Sequence, residues 1–162
     1  MSAVSIAARK LHTAARQPVF IWLWLLPVWV AIGLASAVIA LVPFRRLAPL
    51  LGQNLGTSAF VPLAGEAQVQ RARLIGRTIG IAARYAPFRS NCYPQALVAC
   101  ALCTLWGVPY ALFFGARIAE DTGKLDAHAW VVSGRATVTG GAISFARFNA
   151  LACFVAPPIR RR

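Results

Sequence analysis

Acid is what this sequence most lacks. Of 162 residues only Glu66, Glu120, Asp121 and Asp126 carry a carboxylate, against 17 lysines and arginines, for a net charge of +13. A mechanism built on paired carboxylates, or on an oxygen-rich cage for a hard cation, would have to draw on those four alone, which weighs against both. Histidine is scarcer still, with only His12 and His128. The cysteines are Cys92, Cys100, Cys103 and Cys153. Cys100-x-x-Cys103 has the spacing of a redox or zinc pair, but it falls in mid-helix among Ala and Leu with no second pair and no neighbouring histidine. Core packing is the expected role, and no metal site is predicted. Cys103 lies about 16 Å along the helix from Cys92, beyond the reach of a disulfide. Surplus base raises nucleic acid, anionic lipid and acidic peptide as partner classes. The basic residues are scattered as Arg9-Lys10, Arg45-Arg46, Arg71 to Arg84 and Arg160-Arg161-Arg162. No helix-turn-helix, zinc knuckle or RNA-reading aromatic motif accompanies them, so specific nucleic-acid binding is not expected.

A second absence is local: Pro18 to Phe44 holds no charge at all. A bilayer needs about 20 apolar residues, and this run is longer. It is too long for a cleaved signal peptide and lacks a small-residue cleavage site before a hydrophilic start. Pro27 interrupts it, and arginines flank both ends, so the positive-inside rule gives no orientation. A spanning helix, a helix on a lipid surface and a buried helix all stay open. The expected location is the cytoplasm, with membrane association through residues 18–44 as an option. The turn Val42-Pro43-Phe44-Arg45-Arg46-Leu47 ends the run, and Gly52 to Pro62 reads as a linker. Residues 1–63 are thus a basic segment, an apolar helix and a linker, and residues 64–162 are an α+β domain.

Within the domain, Ala64 to Arg84 has helical periodicity. Val69, Ala72, Ile75, Ile79 and Ala82 share one face, with Arg73, Arg77 and Arg84 opposite. That basic face is either solvated or a docking face for an acidic peptide. Pro87 stops the helix, and the next runs to about Trp106, with Gly107 as its stop. Pro109 to Phe114 predicts a strand ending at Gly115. A polar loop, Glu120 to Lys124, leads to two β-prone runs around Ser133-Gly134, which predict a hairpin. Ile143 to Val155 has no clear type, and Pro157-Pro158 ends it.

Two residues carry chemistry. Ser90 and Asn91 are favoured N-cap residues, and Pro94 is tolerated in a first helical turn. Cys92 therefore sits at the positive end of a helix, where free amides and the dipole favour a thiolate, the nucleophilic form. His128 lies on the first hairpin strand, within Asp126-Ala127-His128-Ala129-Trp130. A cysteine at a helix start and a histidine on a later strand are the parts of a thiol-dependent acyl-transfer site. Each also has a plain structural reading: a small buried residue near a cap, and a satisfied strand histidine.

Taken together, Ala72 to Arg84, Pro87-Phe88-Arg89-Ser90-Asn91-Cys92, Gly107-Val108-Pro109, Phe114-Gly115, Ala127-His128-Ala129-Trp130-Val131 and Val138-Thr139-Gly140-Gly141 resemble the transglutaminase-like leader peptidases of lasso-peptide biosynthesis. The likeness is to the stand-alone form, whose leader-binding domain is a separate protein, and it covers about residues 65 to 155. It implies a papain-like core that cleaves the leader from a ribosomally made precursor peptide, with Cys92 as nucleophile and His128 as base and then acid. The implied partners are the precursor, a separate leader-recognition protein and an asparagine-synthetase-like macrolactam cyclase that uses ATP; this chain itself is expected to bind no cofactor. The family's triad usually ends in an aspartate on the strand after the histidine. Here that stretch reads Val138-Thr139-Gly140-Gly141, without an acid. Asp126, which shares a strand face with His128, and Thr139 are the side-chain candidates to orient the imidazole, with a backbone carbonyl or water as further options. The Cys92 N–H and Gln95 are candidate oxyanion donors, and Trp130 is either a wall of the cleft or core packing. A transglutaminase-like acyl transferase is one alternative. A small basic membrane-associated protein with structural Cys and His is the other.

Overall fold

The structure, a computed structural model, describes residues 17–88, 90–120 and 123–155. Arg9, Lys10, His12, Arg16, Arg89, Asp121 and the Pro157-Pro158 tail lie outside the described residues. The architecture is α+β: three long helices on one face of a five-stranded antiparallel sheet.

The long helix α1 spans Val19–Leu41 and runs unbroken through Pro27. A proline in mid-helix disturbs the carbonyl four residues back. Here that residue is Leu23, which is exposed, so its carbonyl can turn to water. Ile21, Val28 and Ile32 on its inner side are buried, and α1 packs against the two other long helices. Burial of such side chains contributes roughly 1.5–3 kcal/mol each. Three side chains of the apolar segment therefore belong to the domain core, while much of its surface stays exposed. A short helix α2, Phe44–Leu47, and a single 3-10 turn, Ala48–Leu51, bury Leu47 and Leu51. The stretch after them is more than a linker, since strand β1, Gln53–Asn54, pairs with the last strand of the sheet.

Helix α3, Glu66–Arg84, buries Val69, Ala72, Ile75, Thr78, Ile79 and Ala82, the face its periodicity predicts. Its backbone comes very close to the sheet at one point: a Cβ on Gly76 would collide with the Val138 carbonyl oxygen. Helix α4, Cys92–Leu105, begins after Asn91, which caps it without a side-chain bond. It ends in paired bonds, Val108 N–H to the Cys103 carbonyl and Gly107 N–H to the Thr104 carbonyl, with Gly107 at φ +63°. That is the Schellman closure expected of glycine just past a helix.

The strands are β2 (Ala111–Ile118), β3 (Leu125–Ser133), β4 (Ala136–Thr139) and β5 (Asn149–Val155), in the order β1-β5-β2-β3-β4. β2 does not stop at Gly115 but continues to Ile118, because Gly115 lies beneath the indole of Trp130. The Ser133-Gly134 hairpin forms as expected, joining β3 to β4. The segment of undetermined type divides into a short helix α5, Ser144–Arg147, and β5. Alternation along β3 sends Ala129 and Val131 toward the helices and Trp130 and Val132 into a second apolar layer with Phe113 and Cys153.

Two substitutions on α3 test the close approach. Gly76→Ala gains up to about 1 kcal/mol of helix propensity but forces backbone apart, and overpacking costs about 1–3 kcal/mol, so its urea midpoint should fall. Gly80→Ala meets nothing within 4 Å and should raise the midpoint by about 0.5–1 kcal/mol of stability. An unchanged Gly76→Ala midpoint would show that α3 does not press on β4.

Candidate active site

Cys92 takes the first position of α4, where backbone N–H groups have no acceptor within the helix. The helix start is fixed to the sheet by aromatic edges. Phe44 meets Phe114 at 5.3 Å and Tyr93 meets Phe114 at 5.2 Å between ring centroids. Cys92 packs at the margin of the core that lies between helices and sheet, and it is partly exposed. The other three thiols are buried. Burial pushes the Cys103 thiol up to about 12, and pushes those of Cys100 and Cys153 above their ordinary range as well. Cys100 and Cys103 are core residues, and all four cysteines are free.

His128 points the other way. It stacks on Phe148 at 4.6 Å and on Trp130 at 5.8 Å, both on the outer layer of the sheet. Its Nε2 lies 2.9 Å from the Gly140 carbonyl oxygen. A carbonyl has no proton to give, so Nε2–H donates. The structure thus places Cys92 and His128 on opposite faces of the sheet, and among the described residues no hydrogen bond joins them. They are nonetheless close to one another along the strands. Tyr93, next to Cys92, meets Phe114; Phe114 is paired with Ala129, and Gly115 with His128. β4 pairs only with Val131, Val132 and Ser133, so the His128 part of β3 has β2 on one side and no strand on the other. The two faces meet around that unpaired edge.

None of the remaining side-chain candidates hydrogen-bonds the imidazole. The Asp126 carboxylate accepts a 3.0 Å hydrogen bond from Arg117 Nε, and the Arg117 guanidinium lies over Phe148 at 5.2 Å. Thr139 Oγ1 is buried without a hydrogen-bond partner. Neither residue bonds the imidazole; the Gly140 carbonyl does. Gln95 Nε2 donates to the Ser90 carbonyl at 2.7 Å, so its amide braces the loop before α4 instead of pointing at a substrate. Trp130 has 0% exposure and stacks on Phe113, which makes it core packing and removes it as a wall of an open cleft. Phe148 and Gly140 were not foreseen from sequence. The Thr-Gly-Gly word marked a turn but not a carbonyl aimed at a ring, and Phe148 lay where no periodicity could be read. Among the described residues no three His, Cys, Asp or Glu side chains converge on a metal-sized site.

No curated protein and no solved structure matches the chain. A family model does, over residues 38–153, from the last turn of α1 through β5 and including both Cys92 and His128. On that match the chain belongs to the transglutaminase-like superfamily.

Proposed function

We propose that this protein is a cysteine peptidase that removes the leader from a ribosomally made lasso precursor peptide. The observation that carries the reading is Cys92: it lies within the superfamily match, it opens a helix, and it alone of the four thiols is not buried. In the proposed reaction His128 takes the Cys92 thiol proton, the sulfur adds to the scissile carbonyl, and the Cys92 N–H, free of any intrahelical acceptor, holds the oxyanion. The C–N bond breaks, and the amine leaves with a proton from the imidazolium of His128. Water, deprotonated by the same ring, then releases the acyl group from sulfur. For His128 to serve Cys92, its bond to Gly140 opens and the ring comes around the unpaired edge of β3. A separate recognition protein would deliver the leader, and an ATP-using cyclase would close the macrolactam. Superfamily membership is equally compatible with an amine in place of water, which would make the enzyme an acyl transferase. The cytoplasm fits this reading, since the precursor is made there.

The packing of His128 favours a second reading in which it is structural and the chain is a small basic membrane-associated protein. Stacked between Phe148 and Trp130 and tied to Gly140, the ring is already accounted for. Activity and stability separate the two readings. In the peptidase, His128→Ala lowers leader cleavage by about 10²- to 10⁴-fold, followed by mass spectrometry with the precursor encoded beside it and its recognition protein. A large loss of thermal stability with cleavage within tenfold of wild type would assign the ring to structure.

Thiol chemistry tests the nucleophile directly. At about pH 8 iodoacetamide should modify Cys92 in the folded protein, while Cys100, Cys103 and Cys153 react only in urea, and Cys92→Ala should abolish cleavage. Equal labelling of all four, with cleavage intact in Cys92→Ala, removes the proposal.

The group that orients His128 is tested by two milder changes. If the ring works without a side-chain partner, Asp126→Asn and Thr139→Val should each keep turnover within about threefold, because neither side chain contacts the imidazole in the structure. A loss of orders of magnitude for Asp126→Asn would instead mark a carboxylate partner in the reacting state.

A further inference from the structure

The outer side of α1 is an unbroken apolar stripe. Trp22, Leu23, Leu26, Val30, Leu34 and Leu41 are all exposed, Leu23 and Leu26 at 69% and 68%. At about 1.5 Å per residue the helix is about 34 Å long. Soluble monomers rarely leave so large an apolar surface uncovered. By length and composition α1 could cross a bilayer. Its packing argues otherwise. Ile21, Val28 and Ile32 are held by α3 and α4, and α3 carries Arg71, Arg73, Arg77 and Arg84 alongside it. A crossing α1 would have to leave its own core or draw those guanidinium groups into hydrocarbon.

Chemistry beside the stripe identifies what fits it. A groove of about 480 Å³ between α1 and α3 is lined by Trp22, Arg77, Arg84 and Tyr85. Both arginines are exposed, and no acid pairs with either among the described residues. Tyr85 is 69% exposed and Trp22 is 54% exposed, aromatic rings of the kind that settle at the level of lipid headgroups. On the other flank of α1, a groove of about 280 Å³ against α4 is lined by apolar residues alone, among them Trp24, Leu34 and Leu97. Residues 1–16, which lead into α1, hold Arg9, Lys10 and Arg16 and no acid. Apolar surface flanked by unpaired arginines and aromatic rings matches acyl chains below a layer of phosphates.

We propose that α1 docks this enzyme in the plane of an anionic bilayer, with the Leu23–Leu26–Leu34 side in the acyl region and Arg77 and Arg84 on lipid phosphates. The helix stays in the domain core and does not cross. Flotation of the full-length protein with phosphatidylcholine vesicles, with and without 30% phosphatidylglycerol, tests this. Binding should require phosphatidylglycerol, and alkaline carbonate should release the protein. Leu23→Glu with Leu26→Glu should weaken binding at least tenfold. The circular dichroism and melting temperature of that variant should stay unchanged, because both side chains are exposed. Arg77→Gln with Arg84→Gln should cost roughly fivefold per arginine on anionic vesicles and little on neutral ones. Cys92→Ala should bind like wild type, so this test stands apart from the peptidase reading. Retention through carbonate would show a spanning helix, and full binding by the double glutamate variant would place the contact elsewhere. Failure to float, with self-association or capture of the recognition protein that the glutamates abolish, would give the stripe to a protein partner. Each of these three results overturns the proposal.

Discussion

A strand has two faces, and the structure depends on how β3 divides its residues between them. Ala129 and Val131 are small enough to let α3 and α4 settle on the sheet, and they belong to the main core. Trp130 fills the second layer from the other side, against Phe113, Phe145 and Phe148. Because the side-chain period is two, placing Trp130 there places His128 there too. A one-residue slip would bring the histidine to the Cys92 side, but it would also carry the indole into the helix layer and expose Ala129 and Val131 on the other. The ring near Gly140 and the sulfur at the start of α4 are thus consequences of one packing choice.

That choice also explains why β4 is short. Gly76 lets α3 lie directly on Val138, and the chain then turns away at Gly140, leaving β3 without a strand on its β4 side from Trp130 back toward Leu125. The turn supplies the carbonyl that holds His128 and, by ending the ladder, leaves the His128 end of β3 open on that side. α1 closes the helix layer from outside. The superfamily match begins at residue 38, within its last turn, yet Ile21, Val28 and Ile32 lie before that point and are among the most buried residues of the chain. Most of the helix lies outside the matched residues, yet its inner side packs into the same core.

Much of this was legible from sequence where one signal dominated. The apolar face of α3 follows from a single period of 3.6, and the limits of α4 follow from Asn91, Pro94 and Gly107, residues whose backbone chemistry leaves few options. Cys92 and His128 stood out because the sequence has so few alternatives. What could not be read was anything decided between elements. Periodicity shows that His128 and Trp130 share a face but not which face meets the helices. A tryptophan beside a candidate catalytic histidine suits a cleft wall as well as it suits a core. β1 and β5 are recognisable only as a pair, since Gln53-Asn54 has no strand signature of its own. The packed face of α1 was hidden by a segment so uniformly apolar that no amphipathic pattern survives in it.

The shortage of acid limits the chemistry more firmly than any motif. Two of the four carboxylates are in ion pairs, Glu66 with Arg135 and Asp126 with Arg117; a hydrogen bond from Gln70 and the Arg135 charge hold the Glu66 carboxyl below its usual range. Glu120 is exposed on the loop after β2. In the resting structure a neutral carbonyl holds the histidine, and it differs from a carboxylate in kind. It fixes the tautomer and the ring plane, but it gives an imidazolium far less electrostatic support than a full negative charge would. A serine nucleophile needs strong assistance to lose its proton; a thiol starts much closer to its ionised form and needs less. Chemistry at an imidazole with no carboxylate against it therefore suits the proposed thiol better than it would suit a serine hydroxyl. In a chain with net charge +13 and four carboxylates, the proposed nucleophile, the sulfur at the head of α4, is the one that asks least of an acidic partner.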